Sequence, residues 1–393
     1  MSLILFVIII AVLVLIHELG HFIAAKKSGI LVEEFGFGFP PRIWGKKIGE
    51  TTYSINAIPL GGFVKLFGEE YEEIENVPTK QSLSVSLKKR AFIYKKPIVK
   101  TVVILAGVIM NTVLGVTIYY TLLGFNRFQS DPIPLISPYN FRFGTQEGRV
   151  IAIHIAPESP AAKAGISVED TILRYRLNGI KQEAKWHSIT SASSLIDTIK
   201  SSADSEVLLE TENVRNGVKK IVPVVPYYNK ELKRAIIGVN LLDAVVLKYQ
   251  TPRQKILSGF MHSYNLLAYN YTTIGRLFQI AVKDKTLEPV SQTVSGPVGI
   301  YSIVNEIIQT SGEKLVKNIL NVVGLLSLSL AAMNILPLPA LDGGRLVFII
   351  YEWIAGKPVN KNFERYVNLI GFFALISIGI LVSINDIMRL LRL

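Results

Sequence analysis

Four long apolar stretches constrain this chain more than any other feature of its sequence. Residues 2–16 are uncharged and mostly aliphatic, and the apolar character resumes at Phe22 after a short polar interruption. The other three stretches are residues 101–125, 319–341 and 366–385. About 20 apolar residues in a helix cross the ~30 Å hydrocarbon core of a bilayer. The sequence therefore predicts a polytopic α-helical membrane protein with four transmembrane helices.

The composition agrees with a membrane protein and excludes several other classes. Hydrophobic residues make up 50% of the 393 residues and charged residues only 18%, which is too apolar for a typical soluble domain. The absence of cysteine excludes disulfides and thiolate metal ligands. The net charge of +12 is not gathered into a basic stripe interleaved with aromatic residues, so we expect no nucleic-acid partner.

The positive charges predict how the spans are oriented. Residues 26–100, between the first two spans, carry thirteen Lys or Arg, which places this loop in the cytoplasm. The first span then runs inward, residues 126–318 face the exterior, and the third span runs inward again. The basic residues that follow the third span agree with this orientation, whereas Arg389 and Arg392 at the C-terminus oppose it.

A metal-binding motif interrupts the first span. His17-Glu18-Leu19-Gly20-His21 is an HExxH sequence, and in a helix the histidines at i and i+4 project from the same face. Two imidazoles and a carboxylate would hold Zn²⁺ with one position left for water, and Glu18 would act as the general base. The alternative, polar residues packed between helices without a ligand, costs several kcal/mol inside a membrane.

Asp342 is the candidate for the third metal ligand. It closes the run Asn334-Ile-Leu-Pro-Leu-Pro-Ala-Leu-Asp342-Gly-Gly at the inner end of the third span, and His17 lies at the inner end of the first. Pro337 and Pro339 predict an irregular backbone there. Asp342 could instead cap the next helix. Asn334 could bond to a neighbouring helix or donate to a substrate carbonyl.

Alternating residues predict a small sheet in the cytoplasmic loop. Residues 35–39 and 53–57 show the two-residue period of short strands. Because these apolar faces adjoin a span, we expect a hairpin-rich sheet that dips into the cytoplasmic leaflet near the metal. Its free edge could pair with an unwound substrate segment. A plain cytoplasmic hairpin is the alternative.

The exterior region contains a predicted α+β insert and a helical connector. Strand and helix signals over residues 148–245 resemble a single PDZ domain, which would bind C-terminal peptides or act as a size filter. Apolar residues then recur every three or four positions from Ile256 to Phe278, which predicts an amphipathic helix. That helix would lie on the outer membrane surface or against the PDZ domain.

Together these motifs resemble the bacterial site-2 proteases, intramembrane zinc metalloproteases, and specifically the regulator-of-sigma-E type. The resemblance rests on the HExxH motif, on the run from Asn334 to Asp342, and on the segments Pro59-Leu-Gly-Gly-Phe-Val-Lys65 and Ser295-Gly-Pro-Val-Gly-Ile300. It implies zinc held by His17, His21 and Asp342, Glu18 as catalytic base, and Asn334 near the scissile bond. One departure is that Gly107 is followed by Val108 instead of the family's frequent proline, so only Asn111 matches further along the second span.

The resemblance also implies a location and partners. The enzyme would reside in the bacterial cytoplasmic (inner) membrane, with the active site near the cytoplasmic leaflet and the PDZ domain outside. Its substrates would be transmembrane segments of single-pass proteins, such as anti-sigma factors or remnant signal peptides. A catalytically silent PDZ-bearing scaffold is the alternative function.

The predicted domain organisation follows from these elements. Residues 1–125 hold spans 1 and 2 with the HExxH motif and the β-loop, and residues 126–147 form a linker. The PDZ domain (148–245) and a helical connector (246–318) precede residues 319–393, which hold spans 3 and 4 and the third zinc ligand.

Overall fold

A computed structural model describes residues 1–69, 85–177, 185–214, 216–230, 232–286 and 294–391. The chain divides into two compact units. The first contains Met1–Thr117, Ala281–Asn305 and Val322–Leu393, and the second contains Ile118–Ile280 and Glu306–Asn321.

Helices carry all four apolar stretches. The helices are, in chain order, α1 (Ser2–Lys27), α2 (Val85–Lys88), α3 (Pro97–Phe125), α4 (Pro160–Lys163), α5 (Ala192–Ser201), α6 (Pro252–Ile256), α7 (Ser258–Asp284), α8 (Pro297–Thr310), α9 (Leu315–Asn334), α10 (Asp342–Ala355) and α11 (Lys361–Leu391). Among the described residues, four segments are long and apolar enough to cross a membrane: α1, α3, α9 with the turn that precedes it, and α11. The protein is therefore a membrane protein by the length and composition of its helices.

The helix in the third apolar stretch ends before the apolar stretch itself ends. Residues 319–341 are apolar, but α9 ends at Asn334. Pro337 and Pro339 cannot continue a regular helix, so the chain from 335 to 341 forms the expected irregular link to α10. Of the two arginines that opposed the predicted orientation, Arg389 lies in the last turn of α11 and Arg392 lies outside the described residues.

Strands form a small sheet in the first unit and a larger one in the second. The strands are β1 (Val32–Ile48), β2 (Thr51–Leu66), β3 (Ile133–Pro134), β4 (Thr145–Ile155), β5 (Asp170–Leu177), β6 (His187–Ser188), β7 (Val207–Asn213), β8 (Lys219–Val224), β9 (Tyr227–Asn229), β10 (Arg234–Ile236) and β11 (Val239–Lys248). The hairpin-rich sheet predicted for the cytoplasmic loop is the pair β1–β2.

The long strands β1 and β2 pair with each other more than once. Phe35 of β1 has Val64 on one side and Tyr53 on the other, whereas Trp44 pairs with Ile55. The first half of β1 is therefore a central strand, and residues 62–66 of β2 lie at an edge of the sheet. Phe22 of α1 packs its ring 5.3 Å from that of Phe35, so the sheet contacts the helix that carries the HExxH motif.

The second unit contains a sheet with the strand order β3-β11-β4-β5-β7-β8, with β6 paired to β5. Its core includes the fully buried residues Ile172, Leu195 and Leu209 from two strands and from α5. The short helix α4 begins as its sequence predicts, since the Ser159 hydroxyl accepts a hydrogen bond from the Ala162 amide and Pro160 follows the cap.

This sheet extends beyond the predicted limits of 148 and 245. The segment predicted as a linker, 126–147, supplies β3 and the start of β4. Its backbone runs along β11, where the Ser130 amide donates to the Leu247 carbonyl (2.9 Å) and the Leu135 amide donates to the Asp243 carbonyl (2.7 Å). The segment therefore adds strand residues to this sheet, because an exposed edge of β11 gains a ladder of hydrogen bonds from the chain beside it.

Candidate metal centre

The HExxH motif places two histidine side chains side by side on α1. His17 and His21 are 7% and 9% exposed, and their Nε2 atoms lie 3.2 Å apart. The i, i+4 spacing accounts for this geometry, because the two side chains leave the helix one turn apart on one face. Gly20, on the same turn, allows α3 to approach closely, since a Cβ there would lie 2.3 Å from the Ala106 carbonyl oxygen.

Asp342 reaches the same point from the opposite end of the sequence. Its Oδ2 atom lies 3.1 Å from Nε2 of His17 and 3.3 Å from Nε2 of His21. Asp342 is the first residue of α10, and no side-chain hydrogen bond caps that helix, so the capping alternative does not describe it. The structure therefore brings the carboxylate of Asp342 to both imidazoles.

Two glycines make this position of Asp342 possible. The irregular link after Asn334 folds back over the first turn of α10, where a Cβ on Gly343 would lie 2.1 Å from the Leu336 carbonyl oxygen. A Cβ on Gly344 would lie 2.3 Å from the carbonyl oxygen of Leu338. Because no larger residue fits, the Asp-Gly-Gly sequence lets backbone pack against backbone beside the cluster.

One face of α3 holds both imidazole rings. The residues Val103, Gly107 and Asn111 follow one another at intervals of four, so they share a face of the helix. His21 Nδ1 lies 2.9 Å from the Val103 carbonyl oxygen, to which it donates. That bond leaves its Nε2 unprotonated and directed at the cluster. The amide of Asn111 lies 3.4 Å from Nδ1 of His17.

We expect Asn111→Leu to weaken metal binding by about 10- to 100-fold, the usual cost of removing a partner of a ligating histidine. Asn111→Asp should keep the affinity near that of the wild type, because a carboxylate also accepts from Nδ1–H of His17. The Asn111 Oδ1 atom is buried without a hydrogen-bond partner, so turning the amide by 180° would supply this acceptor. Titration of metal-free protein with zinc and a competing chelator measures the affinity, and equal affinities in the Leu and Asp variants would contradict this role.

Gly107 leaves the space that the rings occupy. A Cβ at this position would lie 2.4 Å from Nε2 of His21 and 2.8 Å from Nε2 of His17. We expect Gly107→Ala to displace both rings and to lower the zinc content of purified protein, with an overpacking cost of about 1–3 kcal/mol. Gly124→Ala on the same helix is the control, because a Cβ there meets nothing within 4 Å. Full zinc content in Gly107→Ala would show that the rings do not depend on this space.

Glu18 lies in a cavity that adjoins the cluster. The cavity has a volume of about 390 Å³, and its walls include the cluster, Glu18, residues 62–66 of β2, and Arg345. A Cβ on Gly62 would lie 3.2 Å from Cγ of Glu18, so the edge of the sheet passes directly beside this glutamate. An ion pair between Arg345 and Glu69 joins the chain after β2 to α10 at the same cavity.

Asn334, the candidate substrate-binding residue, also contacts the cluster. Its Nδ2 atom lies 3.4 Å from Nε2 of His17, and its side chain is partly exposed. The end of α9 therefore brings an amide donor to the metal centre. A role toward substrate stays a prediction, as do the roles of Glu18, His17, His21 and Asp342.

The other histidines take no part in this cluster. His262 is buried and its Nδ1 lies 3.2 Å from the Tyr249 hydroxyl, and the ring of His187 stacks on Tyr175. Sequence reasoning missed Val103, which acts through its backbone, and Arg345 and Glu69, which are 276 positions apart. In the sequence, the four-residue spacing of Val103, Gly107 and Asn111 was the one signal that could have predicted which face of α3 contacts the imidazole rings.

The donor atoms fit a zinc ion. Ligands at ~2.0–2.1 Å around a tetrahedral zinc lie ~3.3 Å from one another. The two Nε2 atoms and the Asp342 oxygen are separated by 3.1–3.3 Å. Moreover, Oδ2 of Asp342 is buried and accepts no hydrogen bond from the described residues. Three acceptor atoms that converge within 3.3 Å of one another are the arrangement expected where a cation binds.

A buried His, His, Asp cluster has a glutamate beside it and both histidines on a helix long enough to span a bilayer, which is the arrangement expected of a membrane metalloprotease. The comparison with known families agrees, since residues 5–378 match the model of Peptidase family M50. The chain belongs to this family, and the predicted membership of the site-2 proteases is confirmed.

Relatives that match this chain over nearly their full length are named as zinc metalloproteases. A Clostridium acetobutylicum protein named as a candidate zinc metalloprotease is 30% identical, and the match covers 96% of this chain and 94% of the relative. The zinc metalloprotease RasP of Oceanobacillus iheyensis is 29% identical, with 98% of each chain covered. RasP of Bacillus licheniformis is also 29% identical over 98% of each chain. The predicted class of enzyme is therefore confirmed.

Proposed function

We propose that this protein is an intramembrane zinc metalloprotease that cleaves the transmembrane segments of single-pass membrane proteins. The observation that carries the proposal is the cluster of His17, His21 and Asp342, with Glu18 next to it in a cavity. Family membership supports proteolysis, and the apolar helix α1, which carries both histidines and Glu18, supports a substrate inside the membrane.

His17 and His21 would hold zinc through their Nε2 atoms, and Asp342 would hold it through Oδ2. Zinc is the metal of this enzyme class, and when bound it polarises a carbonyl and makes water acidic enough to lose a proton near neutral pH. Glu18 accepts that proton and then delivers it to the leaving amine of the cleaved peptide bond. Val103 and Asn111 hold the imidazole rings in the orientation that this chemistry needs.

The edge of the small sheet would hold the substrate in an extended form. Residues 62–66 pair with β1 on one side, and in the described part of the chain no strand pairs with their other side. These residues also line the cavity beside Glu18. Since a helix hides its carbonyls in its own hydrogen bonds, a scissile segment must unwind, and pairing with this edge would offset the lost bonds.

The orientation in the membrane and the identity of the larger sheet belong to the same proposal. The thirteen basic residues between the first two spans support a cytoplasmic loop, with the cluster near the cytoplasmic leaflet of a bacterial inner membrane. The four apolar helices would be the four spans. The second unit's sheet with α4 and α5 would be the extracytoplasmic PDZ domain, which binds peptide ends or excludes bulky substrates.

Incubation of the purified enzyme with a panel of transmembrane substrates, including anti-sigma factors and remnant signal peptides, tests the proposal. Mass spectrometry should find products cut within the apolar segment, and a chelator should abolish them until zinc is restored. Pure protein that contains no zinc, takes up none on addition and cleaves no substrate would instead support a catalytically silent scaffold.

A further inference from the structure

The irregular link that leads to Asp342 contains a tight turn over residues 338–341. The Leu341 amide donates to the Leu338 carbonyl (3.3 Å) and closes this turn. Pro339 is its second residue and Ala340, with a φ angle of +68°, is its third. Proline at the second position and a positive φ at the third are the pattern of a type II β-turn. Since Asp342 is the next residue, this turn fixes the backbone from which the carboxylate extends.

Ala340 is an unfavourable residue for its place in this turn. The third position of a type II turn is usually glycine or asparagine, because a Cβ is crowded at positive φ. A type I turn, in which the third residue has a φ of about −90°, suits alanine better and accepts proline equally well at its second position. The two turn types differ by a flip of the peptide unit between the second and third residues. Contacts from outside the turn must therefore hold the peptide unit of Pro339 and Ala340 in its observed orientation.

Asn368 of α11 contacts the amide side of this peptide unit. The Ala340 amide donates to Oδ1 of Asn368 over 3.3 Å. In a type I turn the same N–H would point to the opposite side of the turn and would lose this acceptor. The hydrogen bond therefore favours the type II turn that alanine alone would not.

Gly371 of α11 contacts the carbonyl side of the same peptide unit. A Cβ at this position would lie 2.3 Å from Cβ of Pro339 and 2.9 Å from its carbonyl oxygen. Gly371 is buried, so the helix backbone itself packs against Pro339. Because Asn368 and Gly371 are three residues apart, they share one face of α11. One face of this helix thus contacts both ends of the strained peptide unit.

We propose that Asn368 and Gly371 are positioning residues for the metal centre. They hold the turn over residues 338–341 in its type II form, and the turn in its place brings the carboxylate of Asp342 to the two imidazoles. Ala340 also lines the cavity beside Glu18, so a flipped peptide unit would change the wall of that cavity as well. The proposal rests on the proposed role of Asp342 as a zinc ligand.

The zinc affinity of the purified full-length protein, measured by competition with a chelator, tests the role of Asn368. Leucine has nearly the size of asparagine but accepts no hydrogen bond, so in Asn368→Leu the turn should relax toward type I. We expect the zinc affinity to fall about 10-fold, the lower end of the usual cost of removing a residue that orients a ligand. Asn362→Leu, at an exposed position in the first turn of α11, is the matched control and should bind zinc like the wild type.

The role of Gly371 is tested in the same assay. The added methyl group of Gly371→Ala should push Pro339 away from α11 and lower the zinc affinity about 10-fold. Gly379→Ala on the same helix is the control, because a Cβ there meets nothing within 4 Å in the described part of the chain. Its zinc affinity should stay within twofold of that of the wild type.

A second substitution separates positioning from a general loss of stability. Glycine adopts a positive φ without crowding, so Ala340→Gly added to Asn368→Leu should restore the type II turn and most of the lost zinc affinity. Alanine-to-glycine changes otherwise tend to destabilise a protein, because they raise the conformational entropy of the unfolded chain. A protein weakened only in its fold would therefore lose further affinity instead of regaining it.

Three results would overturn the inference: wild-type zinc affinity in Asn368→Leu, wild-type affinity in Gly371→Ala, or a double variant that binds zinc no more tightly than Asn368→Leu. Wild-type protein and Asp342→Asn are titrated in parallel. A wild type that binds no zinc, or an Asp342→Asn variant that binds it equally well, would contradict the proposed function itself, so the two failures are distinguishable. A monodisperse elution profile checks that each variant is folded.

Discussion

We expect Glu18→Gln protein to bind zinc like the wild type but to cleave a transmembrane substrate about 10²- to 10⁴-fold more slowly, the usual contribution of a general acid–base group. Glutamine has the same shape as glutamate and cannot accept the proton that catalysis must move. Glu18 supplies none of the three ligand atoms of the cluster, so the substitution leaves all three atoms in place. The measurement pairs single-turnover cleavage kinetics with metal analysis of the same preparation.

Glu50→Gln is the control for this experiment, because Glu50 pairs with Lys26 and Arg90 and does not line the cavity. Its cleavage rate and zinc content should equal those of the wild type. A Glu18→Gln variant that cleaves within threefold of the wild-type rate would remove Glu18 from the mechanism. Loss of zinc together with activity would instead show that Glu18 supports the metal site.

We expect Asp342→Asn protein to lose most of its zinc and with it all measurable cleavage. Removal of a residue that only orients a ligand costs about 10–100-fold in metal affinity, so the loss of an anionic ligand should cost at least about 100-fold. A neutral amide oxygen in the place of Oδ2 also removes the charge that balances the cation between two imidazoles. Competition with a chelator of known zinc affinity measures this loss directly.

The charge-matched control is Asp197→Asn on α5, where the carboxylate is 72% exposed and only pairs with Lys200. This variant should keep its zinc and its activity. Excess zinc should restore part of the activity of Asp342→Asn, because the two histidines remain in place. If Asp342→Asn retains zinc at the wild-type affinity, Asp342 is not a ligand and the proposed site is incorrect.

The local sequence predicted the elements that carry the cluster. His17 and His21 are four residues apart in a stretch that can only be a helix in a membrane, and this spacing sets the direction of both side chains. Pro337, Pro339 and the following glycines predicted the irregular link that ends at Asp342. The charge distribution placed the HExxH motif and Asp342 at the same end of two spans, although they are more than 300 positions apart.

Other features depended on contacts that leave no local trace. The segment 126–147 reads as a linker because its prolines and polar residues give no strand period, yet β3 completes the edge of β11. Exposed apolar residues of α7, among them Phe260, Tyr271 and Phe278, recur with the same sequence period as residues that face a core. The outward direction of these residues is set by hydrogen bonds of Asn265 and Tyr269 with distant backbone, which no window of sequence contains.

The sequence by itself determined that this chain enters a membrane, carries a metal motif within a span and has one acidic candidate ligand after two prolines. These are consequences of local chemistry: hydrocarbon cannot solvate charge or open backbone, and a helix repeats its faces every few residues. Only the tertiary structure decided which groups of α3 hold the rings of His17 and His21, which edge of the sheet lies beside Glu18 and which face of α7 points outward. Those outcomes depend on packing and hydrogen bonds between segments far apart in the chain, whose energies exist only once the segments meet.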